Sequence, residues 1–424
     1  MATRTTIDGE TIKSHGLRVT LAGLGINLAL GVLYSWSIIS SAIKDAGWGW
    51  TAEQRALPYS IACLVFCLVM VPAGRMQDKL GPRLVASLGG VLVGLGMILA
   101  SFSTSTMGYV LGFGVLAGAG IGFGYASATP PSVKWFPAAK TGMIAGVVVS
   151  GFGLASVYAA PLSRWLAASF GLKVMMMSLG IGFLVVVVAL AQLLRAPHKA
   201  LKFEGTVAPT VNAEGMVKKE DFTPGEMLKT VQFYLLWFMY ACGAGAGLMI
   251  ISMCKKINAK AGVGVLAVVA LAIGNGGGRI IAGMLSDKLG RQLTMFLFFV
   301  AQAIVIVALA LVGGKEVPPA VAMIVLSALV GANYGSNLAL FPSATKDYYG
   351  LKNFGMNYGL VFTAWGIGGF ILAQFAARVY DGKIVPEWAG SYSFAFYTSA
   401  VLLLVAAVMT FIVKPPHHHE LAEA

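Results

Sequence analysis

Charge is scarce in this chain. Asp, Glu, Lys and Arg make up 11% of its 424 residues, against about 25% in an ordinary soluble domain. With 58% hydrophobic residues and a mean hydropathy of +0.80, there is too little polar surface to cover a water-soluble fold. A soluble enzyme, a disordered scaffold and a nucleic-acid-binding domain are thereby excluded. The net charge of +13 does not restore the last of these, because the Lys and Arg residues are scattered between apolar runs and form no patch. Histidine is nearly absent, and no apolar run holds a His or a central Asp or Glu, so an enzyme working inside the membrane has no base or acid pair. Cysteine is limited to Cys63, Cys67, Cys242 and Cys254. They lie in or at the edge of apolar runs with no histidine near in sequence, and read as small buried hydrophobes, not as a metal set. No metal or cofactor is expected.

What the chain has in abundance is apolar length. A bilayer-spanning helix needs about 20 apolar residues, and twelve such runs are visible: 19–43, 56–74, 84–104, 108–132, 141–168, 172–194, 231–254, 262–285, 291–314, 319–342, 354–380 and 391–413. The pattern predicts an all-α membrane protein of twelve transmembrane helices. No cleavable leader is visible before the first run. The only long polar connection, 195–230, divides the chain into an N-terminal six-helix bundle (1–194), a linker, and a C-terminal six-helix bundle with a short tail (231–424). Placing both termini on one side gives that side 19 Lys and Arg against 10 on the other. By the positive-inside rule the termini and linker are cytoplasmic, in the cell (inner) membrane. His15 and His198 read as solvated, and His417 to His419 as a tail feature rather than a metal site.

The two halves repeat. Gly74, Asp78, Gly81 and Arg83 stand between runs two and three; Gly283, Asp287, Gly290 and Arg291 stand between runs eight and nine. Asp78 to Asp287 and Gly81 to Gly290 are both 209 residues apart, and Asp-Lys-Leu-Gly is identical in both. Gly142-Met143 with Gly146 is echoed by Gly355-Met356 with Gly359. Pseudo-symmetric halves with a midplane site between them are a transporter architecture. Asp78, Arg83, Asp287 and Arg291 are read as conformational gating residues at the cytoplasmic helix ends; the plainer reading is a pair of solvated turns.

Arg279, two-thirds along run eight, is the central candidate. A charge at membrane depth costs about 2.5–3.5 kcal/mol even on lenient scales and usually faces a cavity. No Asp or Glu lies deep enough in any run to neutralise it, so its anion must come from outside, and its planar fork suits a carboxylate. A structural arginine bound to carbonyls is the competing reading. Asn275, four residues earlier, shares its helix face. Its amide suits a carboxylate or an α-hydroxyl, and equally a bond between helices. Glycine is plentiful, with 53 residues. Gly118 to Gly124 and Gly243 to Gly247, at alternate positions, read as close-packing surfaces, and Gly276-Gly277-Gly278 as a soft point letting Arg279 follow an opening cavity.

These motifs resemble the major facilitator superfamily, whose loop signature is the Gly74–Arg83 pattern, and the resemblance covers nearly the whole chain. Asp221–Phe233 and Asn275–Arg291 are similar to the oxalate/formate antiporter branch. Trp135-Phe136-Pro137 and the run-eight arginine are shared with monocarboxylate transporters. The resemblance implies the major facilitator fold and the transport of a small carboxylate past walls that include Tyr34, Tyr125, Tyr334 and Phe362, with Leu28 added from run one. The sequence also departs from the pattern. Asn275 stands where animal monocarboxylate transporters have an aspartate, and no lysine falls between Lys13 and Lys44. Trp365 stands where the oxalate branch has a second cation, and Phe152 and Leu338 stand where it has tyrosines. A single fixed cation suits a monovalent anion. The expectation is a secondary active transporter of a lactate- or pyruvate-like monocarboxylate, coupled to H+ by symport, with oxalate/formate-type antiport or facilitated uniport as alternatives. Its partners are that anion, H+ and the lipid bilayer, with no oligomer required.

Overall fold

A computed structural model describes residues 4–7, 10–11, 13–136, 138–197, 202–204, 221–350 and 353–416. Helices account for nearly all of it. Water cannot satisfy backbone N–H and C=O groups in hydrocarbon, so a chain this apolar must close its hydrogen bonds within each helix. Among the described residues, eleven helices are long and apolar enough to cross a membrane. One of them, 48 residues from Ile144 to Ala191, would be about 72 Å long at 1.5 Å per residue, twice the bilayer core. It breaks at Gly171, where φ is 82°, and so supplies two crossings.

The twelve spans are Gly16–Asp45, Ala52–Leu80, Pro82–Ser101, Thr106–Ser132, 138–170, 172–191, Val231–Ile257, Gly264–Leu289, Arg291–Gly313, Ala320–Tyr349, Phe354–Tyr380 and Ser393–Ile412, here spans 1 to 12. Span 1 tightens to a 3-10 turn over Gly31–Ser35, where a side chain on Gly31 would collide with the Phe152 carbonyl of span 5. A small sheet, with Arg4–Ile7 between Glu10–Thr11 and Lys202–Glu204, ties the N-terminal segment to the linker. It is the one β element among the described residues and lies outside the spans.

The repeated loop has a backbone reason. Gly81 and Gly290 sit at φ 87° and 83° with open space around them, so glycine is required for its left-handed backbone and not for room. Two positions on, Arg83 Nε donates to the Leu194 carbonyl (2.8 Å) and its repeat counterpart Gln292 Nε2 donates to the Val413 carbonyl (2.8 Å). Each half thus ties this loop to the end of its last helix.

Glycines bring the helices together as the alternating runs suggest. A Cβ on Gly120 would fall 2.6 Å from the Gly89 carbonyl, and one on Gly245 2.7 Å from the Gly368 carbonyl. The triplet before Arg279 includes one such close-packed position, Gly278. Span 8 is one continuous helix there, and Gly274 and Gly278 lie against the backbone at Ala328 and Ala332, as Gly331 and Gly335 lie against Leu271 and Asn275. This small-residue seam between spans 8 and 10 is a close backbone contact. The four cysteines are free and buried.

Candidate functional site

The seam decides where Arg279 points. With Gly274 and Gly278 committed to span 10, Asn275 and Arg279, one residue further round the helix, face span 5. Arg279 is 5% exposed and Asn275 fully buried. Arg279 Nε donates to Asn275 Oδ1 (3.2 Å) and Nη1 donates to the Val149 carbonyl of span 5 (2.7 Å). One turn beyond Val149, a Cβ on Gly153 would stand 3.2 Å from Asn275 Cγ and 3.4 Å from Arg279 Cζ, so the bare glycine leaves just enough room. Among the described residues no carboxylate pairs with Arg279. Its Nη2 and the Asn275 Nδ2 are buried with no hydrogen-bond partner. Two adjacent donors, one of them cationic, are left unused at the boundary between the halves.

A wall of rings completes the site. Tyr34 Oη lies 2.6 Å from Tyr334 Oη, and Trp365 Nε1 donates to Tyr334 Oη (2.7 Å). Three donors, one indole N–H and two phenols, are joined here by two bonds, so one hydroxyl hydrogen is left over whichever way the Tyr–Tyr bond runs. Phe66 of span 2 meets Tyr125, Phe152, Phe362 and Trp365 at centroid separations of 5.0 to 5.8 Å. Tyr125 stacks on Phe362 (6.3 Å), and Phe362 on Trp365 (5.1 Å). Tyr34, Tyr334 and Tyr358 lie within electrostatic reach of Arg279, and the Tyr125 hydroxyl lies beside the guanidinium itself.

The structure therefore brings together Arg279, Asn275, Tyr34, Tyr125, Tyr334 and Phe362. Leu28 of span 1 is half-buried, and its carbonyl accepts from the Tyr158 hydroxyl (2.9 Å). Phe66, Tyr358 and the Val149 carbonyl join the site without a signal in the sequence. Trp365, noticed only for the cation it replaces, proves to be the donor that fixes Tyr334. A cavity of about 500 Å³ lined by Leu80, Arg83 and Arg195 includes none of these residues.

Of the gating candidates, Arg83 holds Leu194, while Arg291 Nε donates to Asp347 (3.1 Å) and Nη1 to Ser286. All these partners lie in the cation's own half. The side chains of Asp78 and Asp287, with Gly142-Met143, Gly355, His198 and the His417 to His419 tail, lie outside the described residues. His15 meets Trp135 edge-on at 5.6 Å, a half-buried contact where a solvated side chain was expected.

The family model for the Major Facilitator Superfamily matches residues 25–373 and, in a second match, 266–424. The chain belongs to this superfamily. It is a multi-pass membrane protein, similar to the uncharacterized MFS-type transporter YhjX of Escherichia coli (strain K12), with 30% identity over 82% of this chain and 85% of that one. It is equally similar to the oxalate:formate antiporter of Oxalobacter formigenes, with 30% identity over 82% of this chain and 80% of that protein. The solved structure of a bacterial homologue of the human lysosomal transporter Spinster shares the fold, with a TM-score of 0.64, 15% identity, and coverage of 95% and 97%.

Proposed function

We propose that this protein is a secondary active transporter of a small monocarboxylate, lactate- or pyruvate-like, working by alternating access between the units 1–194 and 231–424. The observation that carries the reading is the pair of unused buried donors, Arg279 Nη2 and Asn275 Nδ2. An unpaired buried cation is costly, and a carboxylate arriving from water relieves that cost while accepting from both. The spare hydroxyl hydrogen of the Tyr34–Tyr334 pair suits an α-oxygen or the second carboxylate oxygen. Phe66, Tyr125 and Phe362 form the apolar wall for a short carbon chain.

The single guanidinium supports a monoanion. A dicarboxylate would keep one charge uncompensated in a low-dielectric site, since Trp365 offers only a neutral N–H there. Coupling to H+ by symport follows from the energetics, because moving one anion inward against 100 mV costs about 2.3 kcal/mol and a co-moving proton cancels it. The lysine and arginine bias puts both termini in the cytoplasm, and the site of action is the cell membrane.

Carboxylate antiport is the second reading, favoured by the identity to the oxalate:formate antiporter. Uptake of labelled lactate into proteoliposomes separates the two. Symport predicts stimulation by an inward pH gradient with no internal anion. Antiport predicts stimulation by internal formate or oxalate at equal pH. Failure of every monocarboxylate tested to enter or to compete would overturn the substrate class.

A further inference from the structure

On the face opposite the termini, two carboxylates join the halves. Asp381, at the end of span 11, accepts from the backbone N–H groups of Ala52 (3.1 Å) and Glu53 (2.9 Å). It therefore caps span 2 from the other half, satisfying two N–H groups that have no partner within their helix and meeting the positive end of its dipole. Glu53 in turn accepts from Arg378 Nε (2.9 Å) and Lys383 Nζ. Deeper along span 2, Gln374 Nε2 donates to Ser60 Oγ (3.1 Å) and Tyr59 Oη donates to the Leu248 carbonyl (3.1 Å).

The charges around this cluster are set out on both halves. Lys256 of span 7 lies over the Tyr380 ring (3.3 Å), donates to Tyr392 Oη (3.0 Å) and senses Asp381, Arg55 and Lys44. Glu53 and Asp381 are the acids of the cluster; Arg378, Lys383, Lys256, Arg55 and Lys44 are its cations.

We propose that Asp381 and Glu53 form a charge latch that holds the two halves closed on the face opposite the termini, and that removing the charge of either by substitution opens that face. A carboxylate accepts strongly from N–H and cationic donors, whereas a carboxyl or carboxamide accepts more weakly and carries no charge. The latch is independent of what Arg279 binds, so its test needs no substrate.

The test places spin labels at exposed Thr104 and Glu387, on the two halves of this face, in liposomes at pH 7.5, and reads their separation by pulsed electron resonance. The wild type is expected to give mainly the short distance. Asp381→Asn is expected to raise the long-distance fraction on the order of tenfold, the effect of losing one strong cap, and Glu53→Gln about two- to fivefold, since its cationic partners are half exposed. Removing the cations instead, with Arg378→Gln and Lys383→Gln together, should reproduce the Glu53→Gln result. Unchanged distances in the neutralised variants would overturn the latch.

Discussion

The hydroxyls of Tyr34 and Tyr334 lie 2.6 Å apart although the residues are 300 positions apart in the chain. One belongs to each half, so the bond must break whenever the halves separate at this depth. Tyr334 also accepts from Trp365, whereas Tyr34 makes no second side-chain hydrogen bond among the described residues. The two phenylalanine variants should therefore differ. Tyr334→Phe leaves the buried Trp365 N–H without an acceptor, a cost of about 1–3 kcal/mol, and is expected to lower the melting temperature and uptake together. Tyr34→Phe should keep stability near wild type while weakening substrate affinity. Equal effects on thermal unfolding would show that the Trp365 bond is not what anchors the pair.

Arg279→Gln is expected to abolish carboxylate uptake while the protein remains folded and monodisperse. Arg279→Lys keeps the charge but loses the fork and should retain only a few per cent of the rate. Because the null effect of a misfolded variant is separable by size exclusion, uptake at the wild-type level by the Gln form would remove Arg279 from the site.

The glycine triplet allows a contrast within a single turn. Gly278→Ala drives a methyl into the Ala332 backbone, while a methyl on Gly277 meets nothing within 4 Å. Gly278→Ala is expected to destabilise by several kcal/mol or prevent folding, as overpacking of a rigid contact does. Gly277→Ala should be neutral or stabilise by up to ~1 kcal/mol through helix propensity. Thermal unfolding in detergent reads both, and a stable Gly278→Ala protein would mean that the seam can part.

Membrane physics makes some of this protein legible from sequence alone and hides the rest. Apolar length announces the spans, and a guanidinium in an apolar run announces Arg279, because both are violations or demands a bilayer imposes on each residue singly. What one sequence cannot show is which helix faces meet. Val149 contributes only a carbonyl, and Phe66 is one of 23 phenylalanines, so neither carries a mark. Gly276 to Gly278 looked like softness because glycine lowers helix propensity, yet the seam at Gly274 and Gly278 uses it for close approach.

Trp365 tests the selectivity argument most directly. It is fully buried, stacks on Phe362, meets Phe66 edge-on and donates to Tyr334. Trp365→Lys places a second cation in the ring wall, where it would be desolvated and, without substrate, unpaired. The empty variant should be destabilised by several kcal/mol, from lost packing and from the uncompensated charge. A dianion would offset that charge, so oxalate should raise the variant's melting temperature and compete for its site, while leaving the wild type unchanged. Lactate should lose affinity for the variant, since one carboxylate cannot satisfy both cations. If oxalate stabilises wild type and variant alike, the wild-type site already accommodates a dianion, and the preference for a monocarboxylate does not arise from Trp365.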